Sequence, residues 1–204
     1  MKKILVGLLL VVNNYLFAQN ASEIIIPVGV AAINYVAADA SLKEMAKDIS
    51  QFRSKEYIVN YIIGSADNKE IKFETESLAS DNDAGLISIA FNCTEVNEKG
   101  LLMAFMGLNR NSNGVVGQAY GFRYIPLKLA QELLLRIDSV KEKNKKYLSA
   151  ETDINNIYIQ FEDIKFIIYK DGGEKVRVLW NGFEVVWEDL AFDKTKKRLN
   201  KWFE

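Results

Sequence analysis

The side chains that carry most enzyme chemistry are scarce in this sequence. It contains no histidine and one cysteine, Cys93. Without imidazole the chain cannot form Ser-His or Cys-His nucleophile pairs, and it lacks the commonest general base and metal ligand. Carboxylates remain, because a pair of them can hydrolyse a bond and a cluster of them can bind a hard cation. The enzyme hypothesis left open is therefore a small hydrolase or transferase that uses carboxylates alone.

The segment Asp81–Gly85 is the nearest approach to a metal-binding loop. Asp81 and Asp83 alternate before Gly85, as they do at the start of a calcium loop. An EF-hand also needs a glutamate at its twelfth position and two flanking helices, but that position is Asn92 and neither helix is predicted. We interpret the segment as a turn between strands. The sequence therefore provides no catalytic, cofactor-binding or metal-binding residue.

Cys93 is expected to be a buried thiol without a chemical role. It alternates with Ile87, Ile89 and Phe91 along a predicted strand, so all four side chains point to one apolar face. A single cysteine also excludes an intrachain disulfide. The core of the protein must therefore hold without a covalent cross-link.

Three tryptophans, Trp180, Trp187 and Trp202, are candidates for a carbohydrate-stacking platform. Asn181-Gly182 between two apolar runs predicts a two-residue hairpin with a type I′ turn. The cross-strand pairs are then Trp180 with Phe183, Val178 with Val185 and Val176 with Trp187, all on one face. Six apolar side chains on one face are most simply a surface that a helix covers. We therefore favour a core role and keep the ligand platform as the alternative.

A strip of small residues lies on the predicted strand 115–124, where Gly117, Ala119 and Gly121 share one face. Glycine is unfavourable inside a strand, so this face predicts the close approach of another element. We expect the helix predicted at 126–146 to cover the strip, and a bound ligand is the alternative. The polar segment Asn109–Gly114 before the strand is interpreted as a turn.

Hydrophobic periodicity predicts the order of the remaining elements. Helices are expected at 41–53, 126–147 and 188–202, and strands at 24–30, 57–63, 71–76, 86–93, 101–108, 115–124, 157–161, 164–170, 175–180 and 183–187. This order predicts an α+β fold with a mostly antiparallel sheet, or sheets, of about 8–10 strands and helices packed on one face. A strand, a helix and four strands can be read twice, which suggests a duplicated unit with pseudo-halves 19–110 and 115–204.

Two further expectations concern the surfaces of the helices. The last helix should bury Leu190, Leu199 and Trp202, which face its apolar side. The basic cluster Lys141–Lys146 is interpreted as a solvated helix end, where lysine suits the negative end of the helix dipole.

The first 18 residues have the layout of a secretory signal peptide. Lys2 and Lys3 precede the apolar run Ile4–Val12, and Leu16-Phe17-Ala18 provides a processing site before Gln19. A membrane-spanning helix needs about 20 apolar residues, more than twice the length of this run. We predict cleavage between Ala18 and Gln19, with residues 19–204 released as one compact domain in the periplasm or outside the cell. An uncleaved anchor is the alternative.

Charge limits the classes of partner. Removal of the signal would leave 24 basic and 27 acidic side chains, a net charge of about −3. Such a chain has no bulk electrostatic reason to bind nucleic acid or an anionic membrane. We predict a non-enzymatic exported protein that binds an unknown protein or envelope component, with no cofactor and no membrane span after processing. The carboxylate-dependent enzyme is the alternative.

Overall fold

The computed structural model describes residues 24–27, 43–64, 69–80, 85–149 and 154–204. Within these ranges the chain forms three helices and nine strands, and every strand pair is antiparallel. The predicted α+β class is therefore confirmed. The signal peptide 1–18, its cleavage site at Ala18 and Gln19, and residues 81–84 lie outside the described residues. The single domain and its pseudo-halves remain predictions.

The described elements follow the predicted order with one exception, the segment 57–63. The helices are α1 (residues 43–63), α2 (Leu127–Lys143) and α3 (Asp189–Phe203), and a short 3₁₀ turn spans Tyr147–Ser149. The strands are β1 (Ile24–Pro27), β2 (Glu74–Ser80), β3 (Leu86–Cys93), β4 (Glu98–Arg110), β5 (Val116–Pro126), β6 (Ile157–Phe161), β7 (Ile164–Lys170), β8 (Glu174–Trp180) and β9 (Phe183–Glu188). No helix within the described ranges is long and apolar enough to cross a membrane.

Strand β4 connects two regions of the sheet. One edge of this 13-residue strand pairs with β5 along its length. The other edge pairs first with β3 and then, at Asn109 opposite Phe183, with β9. We call β1-β5-β4-β3-β2 the N-terminal sheet and β9-β8-β7-β6 the C-terminal meander. The single Asn109–Phe183 pair makes them one continuous nine-stranded sheet.

The strand predicted at 57–63 is wrong, because this segment continues α1. A continuous apolar run of this length suits a buried strand or a helix equally, and periodicity alone does not separate them. Ile49, Tyr57 and Ile58 form the buried stripe of the helix, while Phe52 is 64% exposed. The Tyr57 ring packs 5.0 Å from that of Phe122 on β5. Packing against the sheet therefore outweighs the β propensity of the run.

The two faces of β4 belong to two separate cores. Leu101, Met103 and Phe105 face a large core that contains α2, α3 and the inner side of the C-terminal meander. Leu102, Ala104 and Met106 face a smaller core that α1 covers, and Cys93 lies in it, 1% exposed. Helices therefore cover both faces of the sheet at β4, so the expectation that they pack on one face is wrong. The prediction that Cys93 is a buried thiol is confirmed.

The burial of α3 differs from the prediction at its first turn. Leu199 is fully buried, but Leu190 is 65% exposed, and the side chains that pack inward are Ala191, Phe192, Thr195 and Leu199. Phe192 occupies the place expected for Leu190, with its ring 5.1 Å from that of Trp187. The rotation of a helix about its own axis decides which side chains face the sheet. The apolar residues of this segment are spaced so that more than one rotation would bury an apolar stripe.

Candidate functional site

A groove of about 630 Å³ opens where the N-terminal sheet meets the C-terminal meander. The ends of β4 and β5 and the β8–β9 turn line it. Its polar lining consists of amide and hydroxyl side chains together with one cation: Asn109, Arg110, Asn111, Ser112, Gln118 and Asn181. Gly117, Ala119 and Gly182 contribute main chain and almost no side chain. The groove is therefore rich in hydrogen-bonding groups, and none of the described residues that line it is a carboxylate.

The β8–β9 turn forms one wall of the groove. Its central residues have positive φ, 43° at Asn181 and 82° at Gly182, which confirms the predicted type I′ turn. The Arg110 N–H donates to the Gly182 carbonyl over 2.9 Å. A Cβ at Gly182 would lie 2.2 Å from the Arg110 carbonyl oxygen. Glycine is therefore required here both by the backbone angle and by the approach of a second strand.

Asn109 belongs to the sheet and not to the turn that the sequence predicted. Its side chain is buried, and its Nδ2 donates to the Asn181 carbonyl over 2.8 Å. Asn109 also forms, with Phe183, the only cross-strand pair between β4 and β9 among the described residues. Asn109 therefore fixes the position of the β8–β9 turn against the end of β4.

The rim of the groove is a loop closed by one side chain. Asn111 Oδ1 accepts hydrogen bonds from the backbone N–H groups of Asn113, at 3.0 Å, and Val115, at 2.9 Å. An asparagine side chain that bonds its own turn in this way restricts the backbone. The predicted turn is thus confirmed for the residues after Arg110. The exposed Val115, 62% accessible, adds an apolar contact surface to this rim.

The strip of small residues on β5 is covered at one position and open at another. Ala119 is buried in the large core to which Leu133, Leu134 and Ile137 of α2 also contribute. At Gly117, by contrast, a Cβ would meet no atom within 4 Å. The predicted close approach is therefore wrong at Gly117, which lines the groove.

Arg123 lies on the same face of β5, towards the other end of the strand, and its side chain is bonded to the C-terminal meander. Its Nε donates to Asp163 Oδ1 over 2.9 Å, and its Nη2 contacts Glu162 Oε2 at 2.5 Å. The Trp180 indole donates to the second Asp163 oxygen over 2.6 Å. Arg123 is buried, whereas Glu162 and Asp163 are partly exposed, and these bonds join β5 to the β6–β7 turn and to β8. Charge-assisted bonds from one guanidinium to two carboxylates are stronger than neutral ones and restrain the geometry of the joint.

Lys141 is buried, which corrects the interpretation of Lys141–Lys146 as a wholly solvated helix end. Its ammonium group pairs with Glu174 at 3.1 Å and with Asp189, and it lies 5.0 Å from the centre of the Phe192 ring. Burial lowers the pKa of Lys141, but the hydrogen bonds and charges of Asp189 and Glu174 outweigh it, so the pKa is raised. The group therefore stays charged and ties α2 to β8 and α3.

The tryptophans of the β8–β9 hairpin are core residues. Trp180 and Trp187 are almost completely buried, and the register is the predicted one at all three apolar pairs. The Trp180 ring stacks on Phe183 with an angle of 7° between the planes. The alternative hypothesis, that these two side chains form a carbohydrate-stacking platform, is therefore wrong.

Carboxylates do not converge in the cavities of the described residues. A second cavity between α2 and α3 includes Glu204, and a third is lined by Asn156, Ile167, Tyr169 and Arg177. None of the three cavities brings two carboxylates together. No group of three metal-ligating side chains occurs in the part of the chain that the structure describes.

Comparison with known proteins adds no relative. The chain matches no family model, no curated protein and no solved structure.

Arg123 and Lys141 were not identified from the sequence as residues that join elements. Arg123 did carry a signal, because it is the one charged residue in the otherwise uncharged stretch 115–127. A charge in such a strand needs a partner when it is buried. The partners, Glu162 and Asp163, lie about 40 residues further along the chain and follow from no local pattern.

Proposed function

We propose that this protein is an exported binding protein and that the groove at the end of β4 and β5 is its binding site. The observation that carries the proposal is the composition of the groove lining. Side-chain amides, main-chain groups and two glycines, Gly117 and Gly182, line it, and none of the described lining residues is a carboxylate. Such a surface suits a ligand that offers hydrogen-bonding groups of its own. Val115 at the rim would add apolar contact area.

The ligand class that these groups favour is an extended peptide segment of a protein or envelope component. A peptide presents alternating donors and acceptors, which side-chain amides can match in either direction. Gly117 leaves room for its backbone to approach β5. Arg110 would favour an acidic side chain or a carboxyl terminus at one end of the ligand. The carboxylate-dependent enzyme has no comparable support, since none of the three described cavities holds two carboxylates.

The binding site can be tested by NMR on protein recovered from an exporting host. The probe is a mixture of acetylated and amidated pentapeptides, added to uniformly ¹⁵N-labelled protein. We expect amide shifts at Ser112, Gly117 and Gly182. Gly117→Leu should fill the groove and remove them, whereas the control Gly173→Leu, equally open but in the β7–β8 turn, should not. Shifts that survive Gly117→Leu would contradict the site, and peptide cleavage would favour the hydrolase.

Export is tested separately from binding. The proposal rests on the charged, apolar and small-residue order of residues 1–18. Sequencing of the amino terminus of protein from the periplasm or the medium should begin at Gln19, within one or two residues. Recovery of the whole chain in the inner membrane would instead support the uncleaved anchor.

A further inference from the structure

Strand β6 ends the sheet without the features that normally protect an edge. Within the described residues it pairs with β7 alone, and the register of that pair has no bulge. The sequence Ile157-Tyr158-Ile159-Gln160-Phe161 contains no charge, proline or glycine. Natural edge strands usually carry such residues, because unpaired N–H and C=O groups otherwise recruit another strand.

Another edge of the sheet, β2, shows how this fold protects a strand. Its register with β3 shifts between Ser77 and Ala79, and it carries two charged side chains, Glu74 and Glu76. Arg198 of α3 also donates to the Leu78 carbonyl over 2.7 Å. The absence of a bulge and of charge on β6 is therefore a difference between two edges of one sheet.

The hairpin geometry fixes which backbone groups of β6 point outward. Phe161 and Ile164 flank a two-residue turn and therefore form the hydrogen-bonded closing pair. By alternation, the N–H and C=O groups of Tyr158 and Gln160 face away from β7. The Gln160 carbonyl does so, since it accepts a hydrogen bond from Arg136 Nη1 over 3.1 Å.

We propose that β6 pairs antiparallel with β6 of a second copy of this chain, about a two-fold axis at Ile159. Tyr158 of each copy then lies opposite Gln160 of the other, and their outward N–H and C=O groups can form four hydrogen bonds. Glu162 falls opposite Asn156, so no like charges face each other across the pair. This self-complementarity selects a second copy over an unrelated strand.

The surroundings of β6 fit the same partner. Three of the exposed large apolar side chains, Tyr147, Ile154 and Tyr158, occur close together in sequence just before and within the strand. Asn155 Nδ2 donates to the Tyr147 carbonyl over 2.6 Å, which places Tyr147 beside Asn155, two residues before β6. The contact of two five-residue strands is small, and in each copy Arg136 competes for the Gln160 carbonyl, which affects two of the four acceptors. The dimer should therefore belong to the weak class of interface, with a Kd on the order of 0.1 mM.

Disulfide cross-linking tests the register. Tyr158→Cys and Gln160→Cys proteins, prepared from the full chain in an exporting host, are mixed in equal amounts and oxidised. We expect the mixture to cross-link several-fold more than either variant alone, because the axis places residue 158 opposite residue 160. Glu76→Cys on the protected β2 edge is the matched control and should not cross-link. Equal yields from the single variants and the mixture would overturn the register.

Sedimentation velocity between about 10 µM and 1 mM tests the association itself. The wild-type protein should shift from monomer toward dimer across this range, and Tyr158→Pro should remain monomeric, because it removes an outward N–H that β7 does not use. Tyr158→Lys provides a second blocking variant whose folding does not depend on proline. A monomer at about 1 mM, or a dimer that persists in both folded variants, would overturn the proposal. A monomeric protein that adds unrelated extended peptides at β6 would equally exclude the second copy as the occupant.

Discussion

One face of β5 carries opposite chemistry at its two ends. At one end Arg123 is buried and bonded to Glu162, Asp163 and, through Asp163, to Trp180. At the other end, six residues or about 20 Å away along an extended strand, Gly117 lies open on a groove. Both ends meet the C-terminal meander. We call them the closed end and the open end.

The difference shows how two contacts between the same regions can serve different purposes. At the closed end, charged donors and acceptors satisfy one another, so the two regions are held at a defined distance. At the open end, the contact is made by the main chain of Arg110 and Gly182 and by the Asn109 amide. Small residues beside that contact leave space that no described side chain fills. A rigid joint about 20 Å away along the same strand would help to keep the groove open, as the proposed binding site requires if it is preorganised.

The largest expected effect comes from breaking the closed end. Arg123→Met keeps much of the side-chain volume but leaves Asp163 without its guanidinium, and removal of one partner of a buried pair costs about 3–5 kcal/mol. Asp163 is one-third exposed, so we expect about 3 kcal/mol. Urea unfolding monitored by Trp fluorescence measures it. Glu162→Gln is the control, since this more exposed partner should cost less; equal losses would mean that Asp163 is not the principal partner.

The contact at the open end can be broken at Gly182. Gly182→Ala should lose about 2–3 kcal/mol, because the new Cβ meets the Arg110 carbonyl in addition to the unfavourable φ. Gly172→Ala is matched, with φ of 65° and no atom within 4 Å of its Cβ position. Gly172→Ala should therefore lose only the stability that the unfavourable φ costs, about 1–2 kcal/mol. Identical losses in thermal or urea unfolding would show that the contact between β4 and the β8–β9 turn is absent.

The boundary between core and groove is tested by adding volume on β5. Ala119→Leu should overpack the large core and cost about 1–3 kcal/mol. Gly117→Ala, two residues away on the same face, should be neutral or slightly stabilising, because its Cβ enters open space and the unfolded chain loses freedom. Melting curves of the two variants give the comparison. A fully stable Ala119→Leu protein would extend the open end to Ala119.

The smallest effect is a change in alkaline stability at Tyr124, which follows Arg123 on β5 but faces the smaller core. Burial, followed by the charge and hydrogen bond of Glu98, raises the pKa of Tyr124. The folded protein therefore keeps a proton that the unfolded chain releases above its ordinary pKa of about 10, and stability falls as pH rises past that value by up to about 1.4 kcal/mol per pH unit. Lys141, whose pKa is also raised, adds a slope of the same sign.

Tyr124→Phe should remove the tyrosine part of this slope, measured as urea midpoints at pH 9 and pH 11. An unaltered slope in Tyr124→Phe would show that the phenol is ionised as easily in the folded protein as in the unfolded chain.

Most of the local structure follows from patterns within the sequence. The Asn181-Gly182 turn set the β8–β9 register, because that turn type accepts few residues and a one-residue slip would expose the apolar face. Alternation along β3 correctly predicted the buried Cys93, and the helical spacing of Ala130, Leu133 and Ile137 matches the buried face of α2. These features depend on neighbours within a few residues, which a pattern in the chain can report.

Other features depend on partners that lie far away along the chain. The run 57–63 became helix because Tyr57 packs on Phe122, and its own residues fit either form. Lys141 is buried because Glu174 and Asp189, far along the chain, neutralise it. The groove exists because the C-terminal meander contacts β4 at Asn109 and leaves Gly117 uncovered. Long-range packing and charge pairing bring these groups together, and no spacing in the sequence encodes the distance between them.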